Sequence, residues 1–463
     1  MNIIEIIEKK KAGKELTTEE IYYFIEGITN DYIKDYQASA LLMAICLKGM
    51  NYRETYDLTM AMRYSGDIMN LSQIGRTVVD KHSTGGIGDK TTLIVGPVMA
   101  ALDVPVAKMS GRGLGITGGT IDKLDSIPGF SSDVSDEDFI RLVKTVGMVD
   151  AAQTKNLAPA DKFLYALRDV TATVDSLPLI ASSIMSKKLA SGADCIVLDV
   201  KCGSGAFMKD KESAAELARV MIDIGKRARK KCVAVISDMN QPLGYTVGNS
   251  LEVEEAMLFL SGIVQNPRLK KLVIALCKEM YKLSDKYCPD TDSESFKSDA
   301  EIEELICETI DSGKALEKFR EFAEAQGGDL SFVDDFIEGC REAFDSQVDY
   351  MLGVDYDGLV ERIFYMDDDP AFIEAVDAET VGRMSLLLGA GRIRKEDDID
   401  LGAGIVLNKV VGDRVESGDL LATLYSNNKR SLTSAERLLS KAYTYSETVS
   451  DRMSEGIIIE TLV

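Results

Sequence analysis

Two glycine-rich turns that carry both hydroxyls and cations constrain this chain more than any other stretch. The first reads Asp80-Lys81-His82-Ser83-Thr84-Gly85-Gly86-Ile87-Gly88-Asp89-Lys90-Thr91-Thr92. The second reads Lys108-Met109-Ser110-Gly111-Arg112-Gly113-Leu114-Gly115-Ile116-Thr117-Gly118-Gly119-Thr120-Ile121-Asp122-Lys123. They lie about 25 residues apart, each behind a β-branched run, with an apolar helical stretch between them. Glycine lets the backbone approach a ligand closely, and successive N–H groups in such turns converge on one concavity. Turns of this kind on neighbouring parallel strands face a common crevice at the strands' carboxyl ends. Serine and threonine add short donors, and Lys81, Lys90, Lys108, Arg112 and Lys123 add positive charge. The pair predicts an α/β sheet with an oxyanion site, phosphate foremost. The single histidine of the chain, His82, falls inside the first turn.

Two nucleotide-binding motifs come near and fail. Gly113-Leu114-Gly115-Ile116-Thr117-Gly118 satisfies G-x-G-x-x-G, but Gly119 and Pro128 follow it and Asp133 lies in a loop-like stretch. A dinucleotide site needs a helix there and an acidic residue closing the next strand. In the first turn Asp89 stands where a P-loop requires glycine before Lys90-Thr91.

A chain of 463 residues accommodates two or three domains with a large core. Its net charge of −23 argues against nucleic acid or an anionic membrane as partner. The cations of the two turns oppose that global field, which suits a small anionic substrate. Eight cysteines form no C-x-x-C pair and no zinc spacing; Cys46, Cys195, Cys232 and Cys277 sit in apolar runs and read as core. No signal peptide and no membrane-spanning run is apparent, so a reduced cytoplasm is the expected compartment.

Along the chain, residues 1–66 read as helices, with Thr17-Thr18-Glu19-Glu20 a capping-box signature. Tyr36 to Leu47 is apolar nearly all round, which fits either a subunit contact or an internal core helix. From Thr77 strands and helices alternate: strand 77–80, helix 91–102, strand 104–109, helix 136–147. The connector Gln153 to Lys162 leads to helices at Phe163–Arg168 and Leu177–Leu189, and Ser183 and Lys187 of the latter share a face. Strand 195–200, a third glycine turn at Lys201 to Phe207, helix 211–227 and strand 232–237 continue the βαβ logic. A helix from Asn249 and an acidic helical stretch over 266–345 follow. Beyond about 347, short strands at 357–360, 404–407, 410–415 and 418–424 read as a separate β-containing domain. Its G-D-x-V-x-x-G-x-L segment is similar to a carrier hairpin, but no lysine stands between methionines, so no carried cofactor is expected.

The joint pattern resembles the thymidine and pyrimidine-nucleoside phosphorylases. The runs that carry it are Asp80 to Asp89, Ser110 to Lys123, Ala158-Pro159-Ala160-Asp161-Lys162 with Tyr165-Ala166-Leu167-Arg168-Asp169-Val170-Thr171-Ala172-Thr173-Val174, Ser182 to Lys188, and Gly203 to Met208. The resemblance implies an α/β fold: a helical lobe over 1–67 rejoined by 160–192, a largely parallel α/β lobe over 70–158 and 193–335, and a C-terminal α+β domain over 345–463. It implies reversible phosphorolysis of uridine, thymidine and deoxyuridine, with phosphate as co-substrate and no organic cofactor, by a homodimer joined through the helical lobe. It assigns phosphate to Lys81, Ser83, Thr92, Lys108, Met109, Ser110 and Thr120. The nucleoside falls to His82, Tyr165, Arg168, Ser183, Lys187 and Phe207, with His82, Arg168 and Lys187 catalytic.

Two departures from that pattern stand out. Ile116 replaces a histidine usual in the family, removing a polar interlobe contact. Lys90 replaces a threonine beside a monovalent-cation site that maps onto Gly88, Leu243, Thr246 and Glu255; its ammonium is expected to replace potassium and pair with Glu255. Lys108, apolar in members restricted to deoxynucleosides, implies acceptance of uridine, whereas cytidine would turn a 4-amino donor toward cationic donors. Alternatives are a thymidine-restricted phosphorylase and a phosphoribosyltransferase of related architecture, the latter needing a magnesium carboxylate pair that is not apparent.

Overall fold

The structure, a computed structural model, describes residues 1–113, 115–116, 118–154, 156–287, 297–345, 360–366, 370–392, 394, 397–450, 453 and 455–463. Leu114 and Thr117 of the second turn, Lys155 of the connector, Cys288 and residues 357–359 of an expected strand lie outside them.

The chain opens with α1 (Ile3–Lys11), α2 (Thr18–Thr29), α3 (Asp35–Lys48) and α4 (Tyr52–Arg63). Local signals set their ends. Thr17 and Glu20 form the capping box that starts α2, and Asn51 and Glu54 do the same for α4. The charges of α1 run from Glu5 in its first turn to Lys9, Lys10 and Lys11 in its last, complementing the helix dipole.

Next come β1 (Val79–Ser83), α5 (Thr91–Ala101), β2 (Val106–Ser110), α6 (Thr120–Leu124), α7 (Asp136–Thr145) and β3 (Met148–Ala152). Then α8 (Pro159–Asp169) and α9 (Leu177–Ala190) return to the first four helices. Ala160, Leu164 and Leu179 share one apolar cluster with Ile6, Phe24, Leu41 and Leu58. The other face of α9 packs through Met185 and Leu189 onto the sheet strand β4 (Cys195–Cys202), α10 (Lys211–Arg227) and β5 (Lys231–Asp238). The segment continues with β6 (Thr246–Gly248), α11 (Asn249–Leu260), α12 (Pro267–Leu283), α13 (Asp299–Asp311), α14 (Lys314–Ala325) and α15 (Leu330–Asp345). The last part comprises β7 (Val360–Tyr365), β8 (Ala371–Val376), α16 (Ala378–Leu388), β9 (Gly404–Leu407), β10 (Arg414–Val415), β11 (Leu420–Ser426), α17 (Lys429–Ala442), β12 (Tyr443–Ser446) and β13 (Ile458–Leu462).

The main sheet has the order β13-β5-β4-β1-β2-β3; β1 to β5 are parallel and β13 is antiparallel to β5. Antiparallel sheets β6-β9-β11-β7 and β10-β8-β12 make up the rest. The fold is thus mixed α/β with a helical N-terminal lobe and a dominant parallel sheet.

Several expectations change. The small C-terminal domain is present but exchanges strands with the rest: β13 joins the main sheet, and β6, from the α/β stretch, joins β9. Only Arg414–Val415 of the expected 410–415 strand pairs. The strand β3 was not expected, because Asp150 interrupts its apolar pattern. A short helix, α6, does follow the second glycine turn. Cys46 is half-buried rather than core.

The helical lobe also holds a buried ion pair. Lys10 Nζ lies 2.8 Å from Glu54 Oε1, which also accepts the Leu16 N–H at 2.8 Å. Glu54→Ala leaves a buried ammonium without its partner and is expected to cost about 3–5 kcal/mol. A lower urea midpoint measures that loss; an unchanged midpoint would contradict it.

Candidate active site

The first glycine turn leaves the carboxyl end of β1 and enters α5 at Thr91. Gly88 has φ +73°, and a Cβ there would sit 2.6 Å from the Leu243 carbonyl oxygen, so glycine is required twice over. Beneath the turn lies an alternation of lysine and aspartate. Lys81 Nζ donates to Thr91 Oγ1 at 2.5 Å and lies 3.5 Å from Asp199 Oδ2. Lys201 Nζ is 2.7 Å from the same Asp199 oxygen, while Asp199 Oδ1 accepts from Ser237 Oγ at 2.7 Å. The Ser83 hydroxyl donates to Asp89, whose other oxygen accepts the Thr91 hydroxyl at 2.6 Å and its N–H at 3.2 Å.

These charges fix one another. Burial alone would raise the Asp89 carboxyl; Lys201, Lys81 and Lys123 overcome it and hold the group well below the usual carboxylate range. Burial lowers the Lys81 ammonium, against the pull of Asp89 and Asp199.

In the second turn, a Cβ at Gly119 would stand 2.1 Å from the Gly113 nitrogen, so the loop closes on itself only with glycine there. Asp122 organises this loop. It accepts the Gly113 N–H at 2.6 Å, Arg112 Nη1 at 2.9 Å and Arg392 Nη1 at 2.9 Å. Gly115 N donates to Arg392 O at 2.9 Å, and a Cβ on Gly382 would touch Ile116 Cβ at 3.3 Å. The turn is thereby docked on α16 and the loop after it, with Ile116 in an apolar contact.

Lys123 Nζ reaches back to the Asp89 carbonyl oxygen at 2.7 Å and pairs with Glu252 at 2.7 Å. Lys90 Nζ donates to Leu243 O at 2.7 Å and Thr246 O at 3.0 Å, and pairs with Glu255 Oε2 at 2.8 Å. Of the five cations that the turns seemed to offer a ligand, Lys90 and Lys123 are committed inside the fold, and the half-exposed Arg112 is paired with Asp122 and Asp125. Lys108 is buried, and Ser110 Oγ is buried with no hydrogen-bond partner. Thr92 is the second residue of α5, Thr120 the first of α6, and Met109 contributes its carbonyl oxygen to Lys188 at 3.3 Å.

A second cluster is built by α8 and α9. Lys187 Nζ donates to Asp161 Oδ2 at 2.7 Å and Ser183 Oγ at 3.1 Å, one helical turn away. Arg168 donates to Thr173 O at 3.2 Å, Leu179 O at 3.0 Å and Val174 O at 2.7 Å, which shapes the loop between the helices and leaves two of its five N–H groups. The Tyr165 ring centroid lies 5.7 Å from both cations, and Phe207 is 45% exposed.

His82, on β1, is within electrostatic range of both clusters. Its Nε2 is buried without a hydrogen-bond partner. Burial, then the charges of Lys188, Lys108, Lys187 and Lys81, push its imidazolium far below the ordinary histidine range, so the ring is neutral. Lys188, the neighbour of Lys187, pairs with Asp80 at 2.7 Å, fastening α9 to β1. The residues that sequence reasoning did not assign to the site are Asp161, Lys188, Asp199 and Lys201. Asp161 and Lys188 lie within runs that carry the resemblance and Lys201 opens the third glycine turn, whereas nothing local marks Asp199.

A monovalent cation does not fit the oxygens of Leu243, Thr246 and Glu255, because the Lys90 ammonium already takes up all three.

Comparison with known proteins agrees along the chain. A family model described as the helical bundle domain of the glycosyl transferase family matches residues 4–66, and the α/β domain of that family matches 75–316. A pyrimidine nucleoside phosphorylase C-terminal domain matches 372–446. The pyrimidine-nucleoside phosphorylase of Bacillus subtilis (strain 168) is 51% identical over 444 residues, 96% of this chain and 95% of that protein. That of Geobacillus stearothermophilus is 49% identical over 431 residues, 93% of each chain. That of Staphylococcus aureus (strain MSSA476) is 48% identical over 461 residues, covering 99% of this chain and 100% of that one. Among solved structures, an anthranilate phosphoribosyltransferase from Thermus thermophilus matches with a TM-score of 0.54 at 19% identity, over 69% of this chain and 98% of that one. At that identity the likeness is one of fold.

Asp89→Asn removes the carboxylate that three lysines hold ionised, and is expected to cost on the order of 3 kcal/mol at pH 7. A carboxyl with a depressed folded pKa stabilises above its unfolded value, and that contribution is lost as pH falls through the folded one. The gap in urea midpoint between wild type and variant is therefore expected to shrink below about pH 4; a gap independent of pH would contradict it.

Proposed function

The chain belongs to the pyrimidine-nucleoside phosphorylases of the glycosyl transferase family, and from that premise we propose that it cleaves uridine, thymidine and deoxyuridine reversibly with phosphate, giving the free base and α-D-(deoxy)ribose 1-phosphate. The observation that carries this reading is the position of His82. The charges of Lys187, on the α8–α9 cluster, and of Lys81 and Lys108, at the glycine turns, all act on it. A nucleoside on the first cluster and an oxyanion on the turns would meet at that point.

The chemistry follows from the residue types. Phosphate is held by the turns through Lys81, Ser83, Thr92, Lys108, Ser110 and Thr120, and its oxygen attacks C1′ from the face opposite the base. Breaking the N-glycosidic bond places positive charge on the sugar and negative charge on the departing pyrimidine. Lys187 and the two uncommitted N–H groups of Arg168 stabilise the carbonyl oxygens of that anion, and the neutral His82 donates to O2. Charge met by preorganised donors lowers the barrier by roughly 3 kcal/mol per donor. Asp161 keeps the Lys187 ammonium in place. No side-chain nucleophile takes part. Lys108 offers a donor to a 2′-hydroxyl, which supports uridine as a substrate.

We place two subunits together through the helical lobe, since Ile4 of α1 and Tyr36, Met43 and Leu47 of α3 are exposed apolar side chains on its surface. The cytoplasm is the compartment we assign, in keeping with the free thiols of Cys46, Cys195, Cys202, Cys232, Cys277 and Cys307. No helix among the described residues is long and apolar enough to cross a membrane.

Release of uracil from uridine and phosphate tests the reading. Turnover of uridine, thymidine and deoxyuridine with rejection of cytidine is expected, and Lys187→Ala should lower kcat/KM by on the order of a hundredfold. Near-zero uridine turnover beside fast thymidine turnover, or a loss within about tenfold, would remove the respective claim. Lys90 also makes activity equal in potassium and sodium buffers, to within about twofold. Lys90→Thr should create a potassium requirement; strong potassium activation of the wild type would overturn this assignment.

A further inference from the structure

Asp150 is a buried carboxyl for which the reaction above has no use. It lies on β3, the edge of the main sheet, opposite Lys108 in register. The residue is 1% exposed, and neither carboxyl oxygen has a hydrogen-bond partner. Its backbone is clamped on both sides: its N–H donates to Gln326 Oε1, and Gln326 Nε2 donates to its carbonyl, each at 3.0 Å. The carboxyl is therefore held in the interior, and the Gln326 amide is fully engaged elsewhere.

The groups that face it are few. Lys108 and the Ser110 hydroxyl come from β2, Lys188 from α9 and Asp80 from β1. Lys188 is already paired with Asp80 at 2.7 Å, which leaves Lys108 and Ser110 as the neighbours with capacity to spare. Burial raises the carboxyl to about 6, against the pull of Lys108 and the Ser110 hydroxyl. Two of these neighbours are the residues to which the proposed function gives the phosphate.

An oxyanion brought to Lys108 and Ser110 adds negative charge beside this carboxyl and competes with it for the Lys108 ammonium and the Ser110 hydroxyl. Like charges sharing one site favour protonation of the weaker acid. A protonated carboxyl also gains a donor, which can satisfy Ser110 Oγ or an oxygen of the ligand. We propose that Asp150 is a positioning residue of the anion site, and that a doubly charged oxyanion binds at Lys108 and Ser110 together with a solvent proton on Asp150. Anion affinity is then greatest at acid pH and falls as Asp150 ionises, and binding raises the pH at which it does so. This rests on the phosphate role proposed above for Lys108 and Ser110.

Sulfate is the suitable probe, because it remains a dianion over the whole range while phosphate changes its own charge. Titration calorimetry of the full chain with sulfate, in two buffers of different ionisation heat, reads affinity and protons together. The wild type is expected to take up a proton near pH 7 and to bind about tenfold more weakly at pH 8 than at pH 5.5. Asp150→Asn should bind with less than about threefold change over that range and without this proton. Asp150→Ser serves as the second neutral variant should the amide not fold. Equal pH slopes and equal proton uptake in wild type and variant would overturn the role of Asp150 while leaving the anion site intact. Sulfate that fails to bind at any pH would instead overturn the anion site, and this proposal with it.

Discussion

Alternating lysine and aspartate under the first glycine turn is the constraint on which the rest of the site hangs. Lys81, Asp199 and Lys201 are buried and Asp89 nearly so, and an isolated charge at such depth would be strongly disfavoured. Each holds its place because its neighbour carries the opposite sign. Thr91 and Ser83 are attached to this set through Asp89, so the Ser83 hydroxyl inherits its position from the charges below. Lys123 extends the same logic across the gap between the turns, binding the Asp89 carbonyl on one side and Glu252 of α11 on the other. The two loops therefore act as one rigid wall, although they are separate in the chain.

On the facing side, two adjacent residues of α9 divide the labour. Lys187 turns toward Asp161 and Ser183, while Lys188 reaches Asp80 and the Met109 carbonyl at the sheet. Adjacent helical residues project about 100° apart, so one helix can address a cleft and a sheet at once. The Lys188 pair sets how far the α8–α9 cluster stands from the glycine turns. It is a buried ion pair between lobes, and its registry role is the best-attested use of such a pair.

How much of this was legible in the sequence depended on how far apart the partners lie in the chain. The spacing of the glycine turns implied a parallel sheet, and Thr17 with Glu20 marked the start of α2, because both signals are local. The readings of Lys90 and Lys123 as open cations failed for the opposite reason: their partners are at 243, 246 and 255, and at 252. The resemblance, not the residue pattern, is what paired Lys90 with Glu255. Arg112 is a different case, since Asp122 and Asp125 were in view but their approach depends on how the loop folds over Gly119. β3 escaped notice because a carboxylate at its centre breaks the apolar alternation that marks a strand, and the pressure that keeps Asp150 there is not a packing pressure.

The exchange of strands between the sheets has a consequence for how the molecule is made. β13 closes the main sheet against β5 across more than two hundred intervening residues, while β6 lends itself forward to β9. A nascent chain can assemble β1 to β5 as it emerges, but it carries an open β5 edge until the segment around residue 460 has been synthesised. Completion of the sheet is thus deferred to a late moment of translation, and in that interval the bare edge is the place where a neighbouring chain could intrude.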